Sequence, residues 1–263
     1  MPQLSISPAE AEALRARVLY RDPNLLILDK PAGLSVDPGP ATPDGETLAA
    51  RLPALAFDRA YPPEPAHRLD RDTSGCLVLA RHARARRKLG RLFEAGRVAK
   101  AYLALVAGGP GADEGVIDRP LAKRSTAREG WRMVVDPAGR PARTRWRVLA
   151  RGPAASLLLL EPETGRTHQL RAHLASLGCP ILGDPVYGDS TKAVTGSQRL
   201  CLHALRIAVP YHDDPDRPTI GADAPVPADF RAAAAAVGAH VPEDDALIGS
   251  GSAGFRGTAV GTK

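Results

Sequence analysis

The segment from His67 to Gly75 is the part of this chain whose residue types point most directly to chemistry. It places the carboxylate of Asp70 between basic residues and a Thr-Ser-Gly turn, and the apolar run from Cys76 to Ala80 follows at once. A strand that leaves a polar turn can hold a reactive side chain on a rigid edge. A carboxylate in such a place can be a nucleophile, a general base, a metal ligand or one half of a structural ion pair.

Arginines in the sequence could keep this carboxylate ionised. Arg68 and Arg71 flank Asp70, and a second arginine-bearing turn, Gly165-Arg166, follows much later in the chain. A guanidinium beside a carboxylate favours its charged form in a partly buried cleft. We therefore expect Asp70 and Arg166 to face one cleft, although residue types alone leave a purely structural ion pair open.

An ordered series of motifs over about residues 17–230 resembles the RluA-type RNA pseudouridine synthases. His67 to Gly75 matches the catalytic motif of that family throughout. The other matches are an early lysine-proline-glycine turn, a lysine-x-tyrosine strand, a late glycine-arginine motif, and a closing turn and strand, at residues 28–33, 100–106, 164–174, 183–188 and 202–204. One short motif can arise by chance, whereas a series in the family's order does not.

The resemblance implies an enzyme that isomerises uridines in structured RNA, ribosomal or transfer RNA or both, to pseudouridine. In that reaction the N1–C1′ bond breaks, the uracil rotates, and C5 bonds to C1′ without redox change. The resemblance therefore implies that no cofactor and no metal is needed. The target base must leave its stack to be reached.

The resemblance also assigns catalytic residues. Asp70 corresponds to the essential carboxylate, Arg166 to its ion-pair partner, and Tyr102 to the active-site tyrosine, which can stack on uracil and could exchange a proton. Asp70 could attack C1′, or it could assist loss of the C2′ proton so that a glycal forms. The sequence leaves both routes open.

Four further residues are expected to contact RNA, each with a structural alternative. By resemblance, Arg68 holds the extruded nucleotide or the space that it leaves, unless it makes a surface ion pair. Lys100 and Arg171 are expected to bind RNA, the alternatives being a solvated strand end and a structural ion pair. Leu170 could touch the base or belong to the core. We interpret His67 as an orienting hydrogen-bond partner rather than a catalytic base.

Two other functions compete with this interpretation. Asp70 and Asp72 superficially resemble the paired aspartates of haloacid-dehalogenase-type phosphotransferases, but there the hydrophobic strand precedes the first aspartate, and here it follows. The second alternative is a non-catalytic RNA-binding protein on the same fold. The net charge of +6 permits either RNA function, and residues 81–100 hold eight basic residues against one acidic residue. Beside an RNA active site these residues favour phosphate contact over a merely solvated helix face.

The predicted elements favour an α/β (α+β) fold. Strands are predicted near residues 18–20, 25–28, 76–80, 102–106, 144–149, 156–160, 179–182 and 202–209, and helices near 46–52, 83–95, 168–177 and 231–237. They do not alternate strictly, which argues against a doubly wound sheet. The resemblance implies the pseudouridine synthase fold, with a mixed, largely antiparallel central sheet and flanking helices and loops around an active-site cleft. The expected organisation is a lead-in over 1–16, a catalytic domain over 17–240 and a flexible tail over 241–263.

Three cysteines, Cys76, Cys179 and Cys201, are widely spaced among aliphatic residues. This spacing predicts small buried side chains in a reducing compartment rather than a metal site. The sequence shows neither a signal peptide nor a long apolar run, so we expect a cytoplasmic monomer without membrane contact.

Overall fold

The computed structural model of the protein describes residues 6–39, 46–126, 130–188, 199–214, 216–243, 247 and 258–260. Its elements are, in chain order, α1 (Pro8–Ala16), β1 (Val18–Arg21), β2 (Leu25–Lys30), α2 (Leu48–Arg51) with a 3-10 turn (Leu52–Leu55), β3 (Glu64–Pro65), β4 (Ser74–Ala80), α3 (Ala83–Glu94), β5 (Ala99–Ala107), β6 (Glu114–Asp118), β7 (Leu121–Thr126), β8 (Gly130–Val135), β9 (Arg143–Arg151), β10 (Ala155–Pro162), α4 (Gln169–Ser176), β11 (Leu202–Val209), β12 (Thr219–Asp223), α5 (Ala228–Ala236) and β13 (Thr258–Val260).

The chain divides into two compact units. The first consists of Met1–Ala99, Ala204–Pro225 and Ser252–Lys263, and the second of Lys100–His203 and Val226–Gly251. The predicted domain boundaries stay a prediction. No helix in the described part of the chain is long and apolar enough to cross a membrane.

Strands of the first unit lie in the order β1-β2-β4-β11, and β3 pairs with β4. The pairs β1–β2, β2–β4 and β11–β12 are antiparallel, whereas β12 and β13 are parallel, so the sheet is mixed and largely antiparallel, as predicted. Every residue of β2 and β4 is buried. Burial on both faces explains why these strands are nearly continuous apolar runs in the sequence.

Helix α3 covers the core of the first unit with one face. Ala85, Leu89 and Leu92 are buried, and their spacing places them on one side of the helix. The Nδ1 atom of His82 accepts a hydrogen bond from the backbone N–H of Ala85 and caps the helix start. Gly96, with φ of 66°, follows the helix end. The basic residues of α3 are consequently left on its outer side.

Strands of the second unit lie in the order β5-β10-β9-β6, all antiparallel, and β7 and β8 form a separate antiparallel hairpin. A small apolar cluster of Leu121, Ala142 and Ala172, with Met133 and Tyr187 against it, packs between the hairpin and α4. The hairpin thereby rests on the helix that follows the glycine-arginine motif.

Two predictions about the fold need correction or restriction. The strand predicted over 179–182 is wrong: Ile181 makes only an isolated bridge to Val106. Pro180 has no N–H to donate, and Gly183, with φ of 72°, turns the chain away, so no ladder can extend there. Most of the predicted tail lies outside the described residues. The three cysteines are buried, as expected, and no two of them form a disulfide with each other.

Candidate active site

Asp70 lies in the turn that leads from β3 into β4. Its backbone carbonyl accepts a hydrogen bond from the N–H of Thr73 at 3.1 Å. Leu69 and Thr73 are buried on either side, whereas Asp70 is partly exposed and Arg68 is exposed. The carboxylate therefore stands at a surface that a macromolecular substrate can reach, and Arg68 lies beside it in the chain.

Lys30 holds the segment that follows Asp70. Its side chain is fully buried, and Nζ donates hydrogen bonds to the carbonyl oxygens of Pro31 and Leu34, both at 2.8 Å, and of Arg71 at 2.9 Å. A buried ammonium is tolerated only when its donors are satisfied. Lys30 therefore ties the loop after β2 to the turn that carries Asp70. In the sequence this lysine is part of a predicted turn motif, and its anchoring role was not predicted. The signal that indicates such a role is a charged residue at the end of a buried apolar strand.

His67 fixes the other end of the turn. Its Nε2 atom accepts a hydrogen bond from the N–H of Val78 at 3.0 Å, and its ring stacks on Phe93 with centroids 4.5 Å apart. The ring is thus held against β4 and α3, and Nε2 is engaged by a backbone donor. This arrangement agrees with the predicted orienting role.

Gly75 lets another strand approach the end of the Asp70 turn. It has φ of 106°, which side-chain-bearing residues rarely adopt, and a Cβ atom there would lie 2.2 Å from the carbonyl oxygen of Ala204. It also pairs with Lys30 across β2 and β4. Glycine is required here because a backbone, which cannot move aside, occupies the space.

We expect Gly75→Ala to lower the free energy of unfolding by about 3 kcal/mol or more, since the strained φ and the backbone clash add together. Gly178→Ala is the matched control, because Gly178 has φ of 74° but no atom within 4 Å of its added Cβ. Only strain acts there, so about 1 kcal/mol should be lost. Urea titrations of both variants measure the difference, and equal losses would contradict the proposed contact.

Lys100 and Tyr102 stand on the same face of β5, because side chains two residues apart in a strand point the same way. Both are partly buried, and Tyr102 pairs with Leu160 of β10. The Nζ atom of Lys100 donates to the carbonyl oxygen of Thr164 at 3.2 Å. The second unit therefore brings Lys100 to the turn that carries Arg166.

The Arg166 turn is organised by Gln169, a buried residue that sequence reasoning did not select. Its Oε1 atom accepts hydrogen bonds from the N–H of Arg166 at 2.9 Å and the hydroxyl of Thr164 at 2.7 Å. Its Nε2 atom donates to the hydroxyl of Thr144 and to the carbonyl of Arg143, both at 3.0 Å. The side chain of Arg166 donates through Nε to the carbonyl oxygen of Pro141 at 2.9 Å, which orients the guanidinium. The predicted pairing of Arg166 with Asp70, which belongs to the first unit, stays a prediction.

Arg171 is buried in an ion pair. Its Nε and Nη2 atoms donate to Oδ2 and Oδ1 of Asp184 at 2.7 and 2.8 Å. The same carboxylate accepts hydrogen bonds from the N–H groups of Val186 and Tyr187, so the pair shapes the closing turn. This geometry favours the structural alternative for Arg171, and its RNA contact stays a prediction. Leu170 is only 7 % exposed and packs as a core residue does.

Burial lowers the pKa of Lys100 to about 8. Below pH 8 both folded and unfolded chains carry this charge, and the folded state bears the full desolvation cost. Between pH 8 and about 10.5 the unfolded chain binds more protons, so this contribution to stability must rise with pH, by at most about 1.4 kcal/mol per pH unit.

We therefore expect the difference in unfolding free energy between wild type and Lys100→Met to change in favour of wild type from pH 7.5 to pH 9.5. Denaturant titrations at several pH values measure it, and taking the difference removes the contributions of other titrating groups. A pH-independent difference would show that the pKa of Lys100 is not lowered.

Known proteins share both the sequence and the fold. A sequence model of the family described as RNA pseudouridylate synthase matches residues 24–176. An uncharacterized RNA pseudouridine synthase of Zymomonas mobilis is 44% identical over 219 residues, which cover 82% of this chain and 96% of that protein. The ribosomal large subunit pseudouridine synthase D of Nitrosomonas europaea is 41% identical over 209 residues, which cover 77% of this chain but only 60% of that protein.

A solved structure, human RNA pseudouridylate synthase domain containing 4, superimposes with a TM-score of 0.73 at 28% identity and covers 89% of this chain and 97% of its own. The fold class and the family resemblance are thus confirmed, and the non-catalytic alternative finds no support. The chain belongs to the RluA-type RNA pseudouridine synthases, enzymes that isomerise uridine within RNA to pseudouridine.

Proposed function

We propose that this enzyme modifies uridines of ribosomal RNA, with Asp70 as the essential carboxylate. The observation that carries the proposal is the Asp70 turn, in which a partly exposed carboxylate sits on a backbone held by the buried ammonium of Lys30. Such a turn presents one reactive group from a rigid support, as a catalytic group requires. The name of the Nitrosomonas europaea relative supports the ribosomal substrate, and transfer RNA remains the alternative.

In the proposed reaction the target nucleotide leaves its stack, and Arg68 holds it or fills the space that it vacates. Tyr102 stacks on the uracil. Asp70 either attacks C1′ or removes the C2′ proton, and the electron pair of the N1–C1′ bond leaves with the uracil. The base rotates, and C5 bonds to C1′, either displacing the Asp70 carboxylate from C1′ or with return of the proton to C2′. C5 then loses its proton, and N1 gains one, so that the product is an isomer of the substrate. Arg166 keeps the carboxylate anionic.

The outer side of α3 is proposed to bind RNA phosphates. Arg84, Arg87 and Arg91 are exposed and follow one another at helical spacing, opposite the buried face of the helix. None of the three forms an ion pair with another described residue. A row of such cations is the electrostatic footprint of a polyanion site. We further propose that the protein acts as a cytoplasmic monomer.

The direct test uses transcripts of large-subunit ribosomal RNA and of transfer RNA that carry tritium at C5 of uridine. Isomerisation releases this tritium to water, because the new glycosidic bond forms at C5. We expect release from ribosomal RNA without added nucleotide, and in the presence of a chelator. Release from transfer RNA alone would reassign the substrate, and no release from either RNA would contradict the proposal.

A further inference from the structure

Trp131 is an exposed aromatic side chain in a chain that has few. It lies on β8 and is 45 % exposed, whereas the other tryptophan, Trp146, is only 8 % exposed. A single exposed apolar residue needs no explanation by itself. The surroundings of Trp131, however, are organised in two ways that a chance surface residue does not require.

The first is a rigid support. The ring of His168 stacks on Trp131, with centroids 5.0 Å apart and an interplanar angle of 25°. His168 contacts the hydroxyl of Tyr187 through Nδ1 at 3.2 Å, and that hydroxyl accepts a hydrogen bond from the N–H of Met133 at 2.9 Å. The indole is therefore oriented before any ligand arrives, which reduces the entropic cost of binding.

The second is positive charge. The Nζ atom of Lys123 lies 5.2 Å from the centroid of the Trp131 ring, on the same face of the hairpin. On the other face, Arg124 of β7 stands directly opposite Arg132 of β8. The described part of the hairpin, residues 121–126 and 130–135, therefore carries three cationic side chains, Lys123, Arg124 and Arg132.

We propose that Trp131 is a stacking platform for an unpaired base of the substrate RNA, with Lys123, on the same face of the hairpin, on a neighbouring phosphate. The platform is proposed for a base other than the target uracil, and the inference rests on the proposed function only in taking RNA as the ligand. An indole accepts any base on its π-face, and a cation beside it favours an anionic backbone. When a base stacks, the Lys123 ammonium moves from the ring to a phosphate.

The test compares Trp131→Leu and Trp131→Phe with wild type by fluorescence anisotropy. The probes are a labelled RNA stem-loop with a loop of about seven unpaired nucleotides and a fully paired duplex of equal length. We expect Trp131→Leu to bind the stem-loop about 10-fold to 100-fold more weakly and the duplex as wild type does, because only unpaired bases can stack. Trp131→Phe should lose less affinity for the stem-loop than Trp131→Leu does, because a phenyl ring can still stack on a base. The matched control is Tyr61→Leu, since Tyr61 is an aromatic residue that is 81 % exposed elsewhere, and it should bind both probes normally.

A second measurement compares the two probes on the wild-type protein first, and that comparison does not depend on how a variant folds. The stem-loop should quench the tryptophan emission of the wild type, the duplex should quench it less, and Trp131→Phe should lose the quenching. Equal quenching by both probes, or unchanged stem-loop affinity of Trp131→Leu, would overturn the platform. If the wild type forms pseudouridine while Trp131→Leu binds normally, only this inference fails. If the stem-loop binds through Trp131 but no RNA is modified, only the proposed function fails.

Discussion

Asp70→Asn is expected to give a folded protein that binds RNA and forms no measurable pseudouridine, a loss of the order of 10⁴-fold or more. The amide keeps the shape of the side chain but can neither attack C1′ nor accept the C2′ proton, so both open routes are blocked. The fold should survive, because the turn is held by hydrogen bonds between side chains and backbone, from Lys30 to the Arg71 carbonyl and from the Val78 N–H to His67, and Asp70→Asn leaves these groups unchanged. Tritium release from labelled RNA measures the loss.

Asp72→Asn is the matched control for this experiment. Asp72 lies in the same turn, is 45 % exposed at its side chain, and has only a distant ion pair with Arg71 at 3.9 Å. The Asp72→Asn variant loses the same negative charge as Asp70→Asn, in the same turn. Any general electrostatic effect on RNA binding should therefore appear in both variants. Substantial product from Asp70→Asn, or equal loss of activity in Asp72→Asn, would rule out the assigned role.

The triple substitution of Arg84, Arg87 and Arg91 by glutamine should weaken RNA binding by about 10²-fold to 10³-fold near 0.1 M salt. Each phosphate contact contributes roughly 0.7 to 0.9 to the slope of log affinity against log salt. Three lost contacts should therefore reduce that slope by about 2 to 3. The first and last of these arginines are about 10 Å apart along the helix, from a rise of roughly 1.5 Å per residue, so the row can follow one RNA strand.

Arg86→Gln combined with Lys88→Gln is the control for the triple variant. These residues lie on the same helix, but Arg86 pairs with Glu64 at 3.1 Å and Lys88 with Asp213 at 2.7 Å. Their charges are already partly offset, so the slope should change by less than about 1. Binding isotherms at several salt concentrations decide between the variants. An unchanged slope in the triple variant would show that α3 does not contact the RNA backbone.

Local patterns were enough to predict most of the elements that carry the site. The buried strands β2 and β4 are continuous apolar runs, and α3 shows apolar residues at helical spacing, ended by Gly96. An apolar run and a helical spacing both involve residues only a few positions apart in the sequence. The strand predicted over 179–182 failed for a related reason, since apolar content predicts burial but a ladder needs N–H donors that Pro180 lacks.

The residues that hold the site could not be predicted in the same way. Lys30 looked like part of a turn motif, and only the folded chain brings the Arg71 carbonyl to its ammonium. Gln169 carried no signal, yet its side chain bonds the Arg166 turn to Thr144 of β9. Arg171 is predicted to contact RNA, and only the structure shows that it also pairs with Asp184 in the interior. In each case the side chain contacts a partner that lies outside its local segment of the chain.

By itself the sequence determined the family, the motif around Asp70, the sheet-rich fold class and the basic surface of α3, because all of these are written in residue types and short-range periodicity. Only the tertiary structure decided which charged groups are buried and paired, and that Trp131 remains exposed beside a cation. Burial and pairing depend on contacts between distant segments, and a local pattern contains no record of them.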